Sequence, residues 1–462
     1  MKKNIILMIV AIAMFMEAVD TTVLNTAIPA MAHSLQVNPI SLKLALISYL
    51  LSLAIFTPIS GWVADKYGVK RVFIFAIGIF TLSSIWCGFT NNLIQLICGR
   101  ILQGIGGSLT LPVGRLIIVR TCERNELVSK MSIVVMIAAM GMMLGPVVGG
   151  IITNHFSWHW IFWINAPIGL IAMILAAFLL PSMPAQAVYQ LDKIGFFLFG
   201  TGLAFLTLGL SILSESKIGL IDSGILIGMA VLLLSLYIWH SRTKIHPIVK
   251  IELLRVRTFK VSVLGNLLSR MGFGGIPFVL PLMFQLVLGF SPQTAGFLLA
   301  PIALGVLMVK PLSLRLLRLF GYKNLLLINT FLMTLSLCSF MLINQYSSHG
   351  LISLLTFCYG FIISLQYTGM NSLAYGNLQQ EDISSATSIM STIQQLGQSF
   401  GVAVAAIIIS LFSGAYAGHQ SFTIKIFHQT FFALALLTLC SLFLFMHLKK
   451  DDGKELIYTA DV

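Results

Sequence analysis

Charge is what this sequence has least of. Asp, Glu, Lys and Arg make up 9% of its residues, against about 25% in a soluble domain. With 58% hydrophobic residues, a water-soluble fold is excluded and an integral membrane protein is required. Metal-ligand spacings are missing as well. The six cysteines (Cys87, Cys98, Cys122, Cys338, Cys358 and Cys440) are scattered, with no CxxC pair, and the nine histidines contain no HExxH. A metalloenzyme and a disulfide framework are thereby excluded, and the cysteines read as small apolar packers. No nucleophile constellation and no sizeable soluble domain stand out, so the chain reads as a non-enzyme without metal or cofactor. The apolar runs also lack the alternation of barrel strands.

What is there is a series of fourteen helix-length apolar stretches, the first from Ile5 to Ile28. Each is near the ~20 residues that a ~30 Å hydrocarbon layer requires. With the N-terminus inside, 23 Lys and Arg fall in the tails and even-numbered connections, and only Lys43, Lys217 and Lys425 on the other side. The positive-inside rule then predicts cytoplasmic termini, and the chain is read as a protein of the cell inner membrane. The net charge of +13 is therefore a topology signal, and no nucleic-acid partner is implied. Lys2-Lys3, the apolar run and Ala30-Met31-Ala32 imitate a cleavable leader, but Glu17 and Asp20 interrupt it, so the first span is expected to be retained.

The chain repeats weakly. Asp65-Lys66-Tyr67-Gly68-Val69-Lys70 follows the second span, and Arg318-Leu319-Phe320-Gly321-Tyr322-Lys323 follows the tenth, with Gly and Lys at equal offsets. This predicts an all-α polytopic fold in four parts. Residues 1–181 form a six-helix bundle, 182–259 a two-helix insert and linker, 260–447 a second six-helix bundle, and 448–462 a cytoplasmic tail. Parallel six-helix halves are a transporter architecture.

Two acids inside the first span need a reason, because a carboxylate at the bilayer centre costs roughly 2.5–3.5 kcal/mol or more. Glu17 and Asp20 sit three residues apart, on one helical face. At ~1.5 Å per residue they lie about 18 and 22 Å from the inner edge. Counted back from the outer end of the fourth span, Arg100 falls at nearly the same depth. A carboxylate balanced between burial and a cation can be loaded and unloaded with a proton. A static buried ion pair is the structural alternative.

Glycines mark the helix contacts. Gly141, Gly145 and Gly149 form one stripe in the fifth span, with Pro146 and Gly150 beside it, a close-packing face next to a bend. In the loop Gly61-Trp62-Val63-Ala64-Asp65-Lys66-Tyr67-Gly68-Val69-Lys70-Arg71, Gly61 is expected to permit close helix approach and Gly68 a positive-φ turn. Asp65 at a helix C-terminus needs a cation, and Lys66, Lys70 and Arg71 are available.

That loop resembles the GxLaDrxGrkxxl signature of the major facilitator superfamily. Arg100-Ile101-Leu102-Gln103-Gly104-Ile105-Gly106-Gly107 is similar to its second motif, and the fifth-span glycines to its gxxxGPxxGG antiporter motif. Val19-Asp20-Thr21-Thr22-Val23-Leu24-Asn25-Thr26-Ala27-Ile28-Pro29 and Trp158-His159-Trp160-Ile161-Phe162-Trp163-Ile164-Asn165-Ala166-Pro167-Ile168-Gly169 resemble motifs of the fourteen-helix drug:proton antiporters. The resemblance implies that Asp20 and Arg100 handle a proton, and that the loop of Gly61, Asp65, Gly68, Lys70 and Arg71 locks and releases the inner helix ends. It further implies a proton-driven exporter of amphipathic small molecules in the lipid bilayer, read as a monomer.

The resemblance does not extend to Glu17, where the family motif demands no acid. Nor does the second half carry acids inside its spans. It does carry Arg270, near the midplane of the ninth span. Arg270 would pair with Glu17 or Asp20, bond Asn, Gln and carbonyls, or meet an anionic substrate. Asn25, Gln103, Gln366, Asn371 and, with them, Tyr367, Gln394 and Gln395 are the polar candidates for a substrate cavity. Two further readings remain: export of an endogenous anionic metabolite, and a non-transporting sensor or scaffold.

Overall fold

A computed structural model describes residues 2–213, 219–414 and 422–458; Lys217 of the charge count lies outside them. Among the described residues there are helices and turns but no strands. Among the described residues thirteen helices are long and apolar enough to cross a bilayer. One of them, Pro292–Leu342, has 51 residues and at 1.5 Å per residue would reach about 77 Å, more than twice the hydrocarbon thickness. It breaks at Gly321, where φ is 69° and ψ 168°. Fourteen spans result.

They are α1 Lys2–Leu35, α2 Pro39–Tyr67, α3 Val69–Cys87, α4 Leu93–Thr121, α5 Arg124–His155, α6 Trp160–Leu179 and α7 Lys193–Ile212. Then follow α8 Gly219–Ser241, α9 Arg257–Leu286, α10 (292–320), α11 (322–339), α12 His349–Leu373, α13 Ile383–Phe412 and α14 Ile424–Met446. Side-chain caps start several of them: Asn92 accepts from Gln95 N at 2.9 Å, Asp192 from Gly195 N at 2.9 Å and Ser348 from Leu351 N at 3.2 Å. Each satisfies an amide that the first helical turn leaves unbonded.

The spans group into two compact units. One comprises Met1–Leu191 with Phe290–Ala300, the other Asp192–Gly289 with Pro301–Val462. The two inserted helices fall in the second unit, where α7 packs against α8 and α13. Asp192 at the start of α7 accepts from or pairs with His240 near the end of α8 at 2.8 Å, tying the hairpin.

The weak repeat has a structural counterpart inside each unit. Gly68 has φ +90° and Gly321 φ +69°, a backbone region costly for any residue with a Cβ. Two residues on, Lys70 Nζ donates to Leu180 O at 2.7 Å, just past α6. Lys323 Nζ donates to Met446 O at 3.0 Å, at the end of α14. In both units the loop after the second span is thus pinned to the end of the sixth by the same glycine–lysine pair, the lysine neutralising carbonyls at a helix C-terminus.

In the first unit α5 lies closely along α1. A Cβ on Gly141 would stand 2.8 Å from Phe15 O, one on Gly145 would collide with Thr22 Oγ1 and stand 3.2 Å from Val19 O, and one on Gly149 would collide with Val23 O. The stripe therefore rides on the carbonyls of Phe15, Val19 and Val23, an i, i+4, i+8 row on the stretch of α1 that carries Glu17 and Asp20. On the other side of α5, Gly150 meets Pro292 O and Pro146 O meets Gly296. Gly61 behaves differently from its expectation: a Cβ there would meet nothing within 4 Å, because its helix face is turned outward. Gly149→Ala is accordingly expected to cost about 1–3 kcal/mol through overpacking against backbone. Gly61→Ala should be neutral or stabilising by up to about 1 kcal/mol through helix propensity. Thermal unfolding in detergent measures both, and equal shifts would contradict the packing.

Candidate functional site

Two spans of the first unit, α4 and α6, bring polar side chains to Asp20 of α1, and α3 and α2 support them. Asp20 is 1% exposed. Its Oδ2 lies 2.6 Å from Arg100 Nη1 of α4. Its Oδ1 accepts from Gln103 Nε2 of α4 and from Asn165 Nδ2 of α6, each at 2.8 Å. Both amides also donate to Ser84 Oγ of α3, at 3.2 and 3.0 Å, and Ser84 donates onward to Phe162 O at 2.9 Å.

Arg100 is satisfied beyond its ion pair. Nη1 also donates to Gln103 Oε1 at 2.7 Å, Nε donates to Ala45 O of α2 at 3.3 Å, and the guanidinium lies 4.1 Å above the Tyr49 ring. A buried pair of this kind repays its desolvation only when the remaining polar atoms are bonded, and here nearly all are. The exceptions are Arg100 Nη2, which has no acceptor among the described residues, and Asn165 Oδ1, which is buried and has no partner among them.

Glu17 stands apart from this network. Its Oε2 is buried without a partner among the described residues. Its Oε1 and the Tyr49 hydroxyl both border Gly107, 3.4 and 3.2 Å from the point a Cβ there would occupy. Thr21, one turn along, donates to the Glu17 carbonyl at 2.8 Å and lies 3.5 Å from Tyr49 Oη. Depth alone leaves both acids open to Arg100; the rotation of α1 points Asp20 at it.

The loop between α2 and α3 is bound within the same unit. Asp65 is met by Arg120 from the end of α4, Nη2 to Oδ1 2.6 Å, rather than by Lys66, Lys70 or Arg71. Lys66 instead lies over the Trp62 ring at 4.5 Å, Lys70 is taken by Leu180 O, and Arg71 is exposed. The chain after α6 crosses this loop: Gln186 N donates to Asp65 O at 2.7 Å, Trp62 Nε1 donates to Tyr189 O at 2.8 Å, and Met183 O lies 2.9 Å from where a Gly68 Cβ would be.

Of the residues expected along a cavity, Gln103 belongs to the Asp20 network. Gln366 is 1% exposed and bonds Asn329 and Thr330 at 2.8 and 2.9 Å, a helix-to-helix tie between α12 and α11. Asn25 is buried in α1. Arg270 and Asn371 do meet, through Asn266: Arg270 Nε donates to Asn266 Oδ1 at 2.9 Å, and Asn266 Nδ2 donates to Asn371 Oδ1 at 3.0 Å. Sequence reasoning misses Asn165, Ser84 and Tyr49 as site residues. Asn165 stands inside one of the motifs quoted above, which is the signal that could find it; Ser84 and Tyr49 carry no local signal.

The family model described as Major Facilitator Superfamily matches residues 10–402 and 264–457. The chain belongs to the Major Facilitator Superfamily. This facilitator is 36% identical over 448 residues to the Haemophilus influenzae protein named "Probable transport protein HsrA", covering 97% of this chain and 96% of that one. It is 34% identical over 450 residues to the "Putative multidrug resistance protein MdtD" of Shigella boydii, covering 97% and 95%. In fold it is similar to the POT family transporter PepTSo, with TM-score 0.71 at 14% identity over 96% of this chain and 97% of that one. A D-xylose-proton symporter aligns with TM-score 0.69 at 15% identity, over 97% and 99%. The facilitator is thus a transporter by family.

Proposed function

We propose that this facilitator is a proton-coupled antiporter that exports amphipathic small molecules across the cell inner membrane, with both termini cytoplasmic. The observation that carries the reading is the buried Asp20–Arg100–Gln103–Asn165 network on α1, α4 and α6. The protonated and unprotonated forms of Asp20 call for different partners. As a carboxylate it accepts from Arg100 and both amides. Once protonated it has an O–H to donate, and rotation of the Asn165 amide offers Oδ1, which is otherwise unpartnered. Arg100, released, keeps Ala45 O, Gln103 Oε1 and the Tyr49 face. Two satisfied arrangements separated by one proton make the bistable element that coupling requires.

Position supports the same reading. The glycine stripe of α5 grips α1 across the residues that flank Asp20, so a change in the network is a change in helix packing. The name of the MdtD relative supports drug-like substrates, and the asymmetry of Lys and Arg supports the orientation. One proton crossing 100 mV is worth about 2.3 kcal/mol, enough to drive useful accumulation.

In proteoliposomes, an imposed pH gradient should drive uphill movement of an amphipathic fluorescent substrate with proton flow in the opposite sense. Substrate movement indifferent to the imposed gradient would sink the antiport reading. Arg270 favours a second reading of the substrate, an organic anion.

A further inference from the structure

Among the described residues Arg270 is a buried cation without a counter-ion. Its side chain is 7% exposed, and among the described residues it forms no ion pair. The second unit has nonetheless built a seat for it. Gly397 of α13 leaves room for the arginine stem, since a Cβ there would stand 2.9 Å from Arg270 Cβ and 3.0 Å from its Cδ. The guanidinium lies 3.9 Å above the Tyr367 ring of α12, and Phe273 packs against that ring at 5.6 Å between centroids. Asn371 accepts from both Asn266 Nδ2 and Gln394 Nε2, at 3.0 and 3.2 Å. This turns the Asn266 oxygen toward Arg270 Nε and leaves it no freedom to serve the far edge of the fork.

The consequence is a rigid, oriented guanidinium with one edge spent. Nε is bonded to Asn266 and one face is covered by Tyr367. Nη1 and Nη2 have no hydrogen-bond acceptor among the described residues. Tyr367 beneath the fork, Asn371 and Gln394 beyond Asn266, and Gln398 at the Gly274 carbonyl are only half-buried. A buried guanidinium left without an anion is strongly unfavourable, and its planar fork fits a carboxylate through two parallel bonds. A neutral residue would fill this place at lower cost if the place were structural.

We propose that Arg270 is the recognition group for the carboxylate of an organic anion that this chain transports, held by Nη1 and Nη2 over Tyr367. The proposal rests on the transporter reading and narrows its substrate class to carboxylates with an apolar or aromatic body. The Asp20 network handles the proton in the first unit, and Arg270 handles the anion in the second.

The test is binding to the detergent-purified full chain, with no gradient present. Benzoate, decanoate and succinate are titrated beside their uncharged amides, by thermal shift and calorimetry. At least one carboxylate is expected to bind about tenfold or more tighter than its amide. Arg270→Gln should remove that preference. Should that variant fail to fold, Arg270→Lys, which keeps the charge and loses the fork, should weaken the carboxylate about tenfold and leave the amide unchanged. Asp20→Asn should retain the preference, since it alters coupling and not this seat, so a failed antiport assay does not decide the outcome here. Equal binding of acid and amide, absence of any carboxylate binding, or chloride stabilising the chain as well as the carboxylates would each overturn the proposal.

Discussion

Asp20→Asn is expected to abolish uphill, pH-driven export while leaving a folded, inserted protein that still exchanges substrate in counterflow. The amide cannot carry the exchangeable proton, and its shape is that of the acid. Its oxygen can stay toward Arg100, which only donates. Its NH2 then faces Gln103 and Asn165, whose amides can turn an oxygen toward it; Asn165 Oδ1 has no other partner to give up. The substitution leaves the Arg100 guanidinium buried without its counter-ion, so it should cost about 3 kcal/mol, the low end of the about 3–5 kcal/mol for a broken buried pair, because the amide oxygen still accepts from Arg100. Transport driven by an imposed pH gradient should fall to background, and the residual exchange rate should lose its pH dependence. A variant that still concentrates substrate against a gradient would remove Asp20 from the coupling role.

Arg100→Ala carries the largest expected loss of stability. It strands the Asp20 carboxylate in a site 1% exposed, and it removes the guanidinium from Ala45 O and from the Tyr49 face. About 3–5 kcal/mol is the usual result of removing one member of a buried pair. Arg100→Lys should cost less, because the charge remains even though the contacts to Ala45 and Gln103 are lost. In an Asp20→Asn background the Arg100→Ala penalty should shrink, with a coupling energy of about 1–3 kcal/mol. Unfolding of all four proteins in mixed micelles measures the cycle. Additive effects would mean that the 2.6 Å contact carries no energy of its own.

The two residues also show where sequence reasoning reaches its limit. Rise per residue converts position into depth, so the order of residues alone puts Asp20, Glu17 and Arg100 at one level. Depth says nothing about which way a helix is turned. That rotation gives Asp20 to Arg100 and leaves Glu17 beside Tyr49 and Gly107. The same limit explains Gly61, which reads as a packing glycine yet faces open space. It explains Gln103 and Gln366 too, polar residues at cavity depth that bond neighbouring helices instead.

Asp65 shows a second limit. The need for a cation at its helix end is legible in the chain, and three nearby cations are on offer. The partner comes from Arg120, 55 positions away, because α4 ends beside the loop while Lys70 reaches the carbonyl that ends α6.

By itself, the sequence determined that this chain is a bundle of fourteen apolar helices, where the glycine stripe of α5 runs, and that Gly68 and Gly321 mark equivalent turns. These follow from composition, helical periodicity and backbone freedom, all of which are local. Only the tertiary structure decided that Asn165 and Ser84 complete the Asp20 site, and that Arg270 sits on Tyr367 with its outer nitrogens unspent. Such contacts join residues up to 145 positions apart, and they depend on helix rotation and packing, which no single stretch of chain encodes.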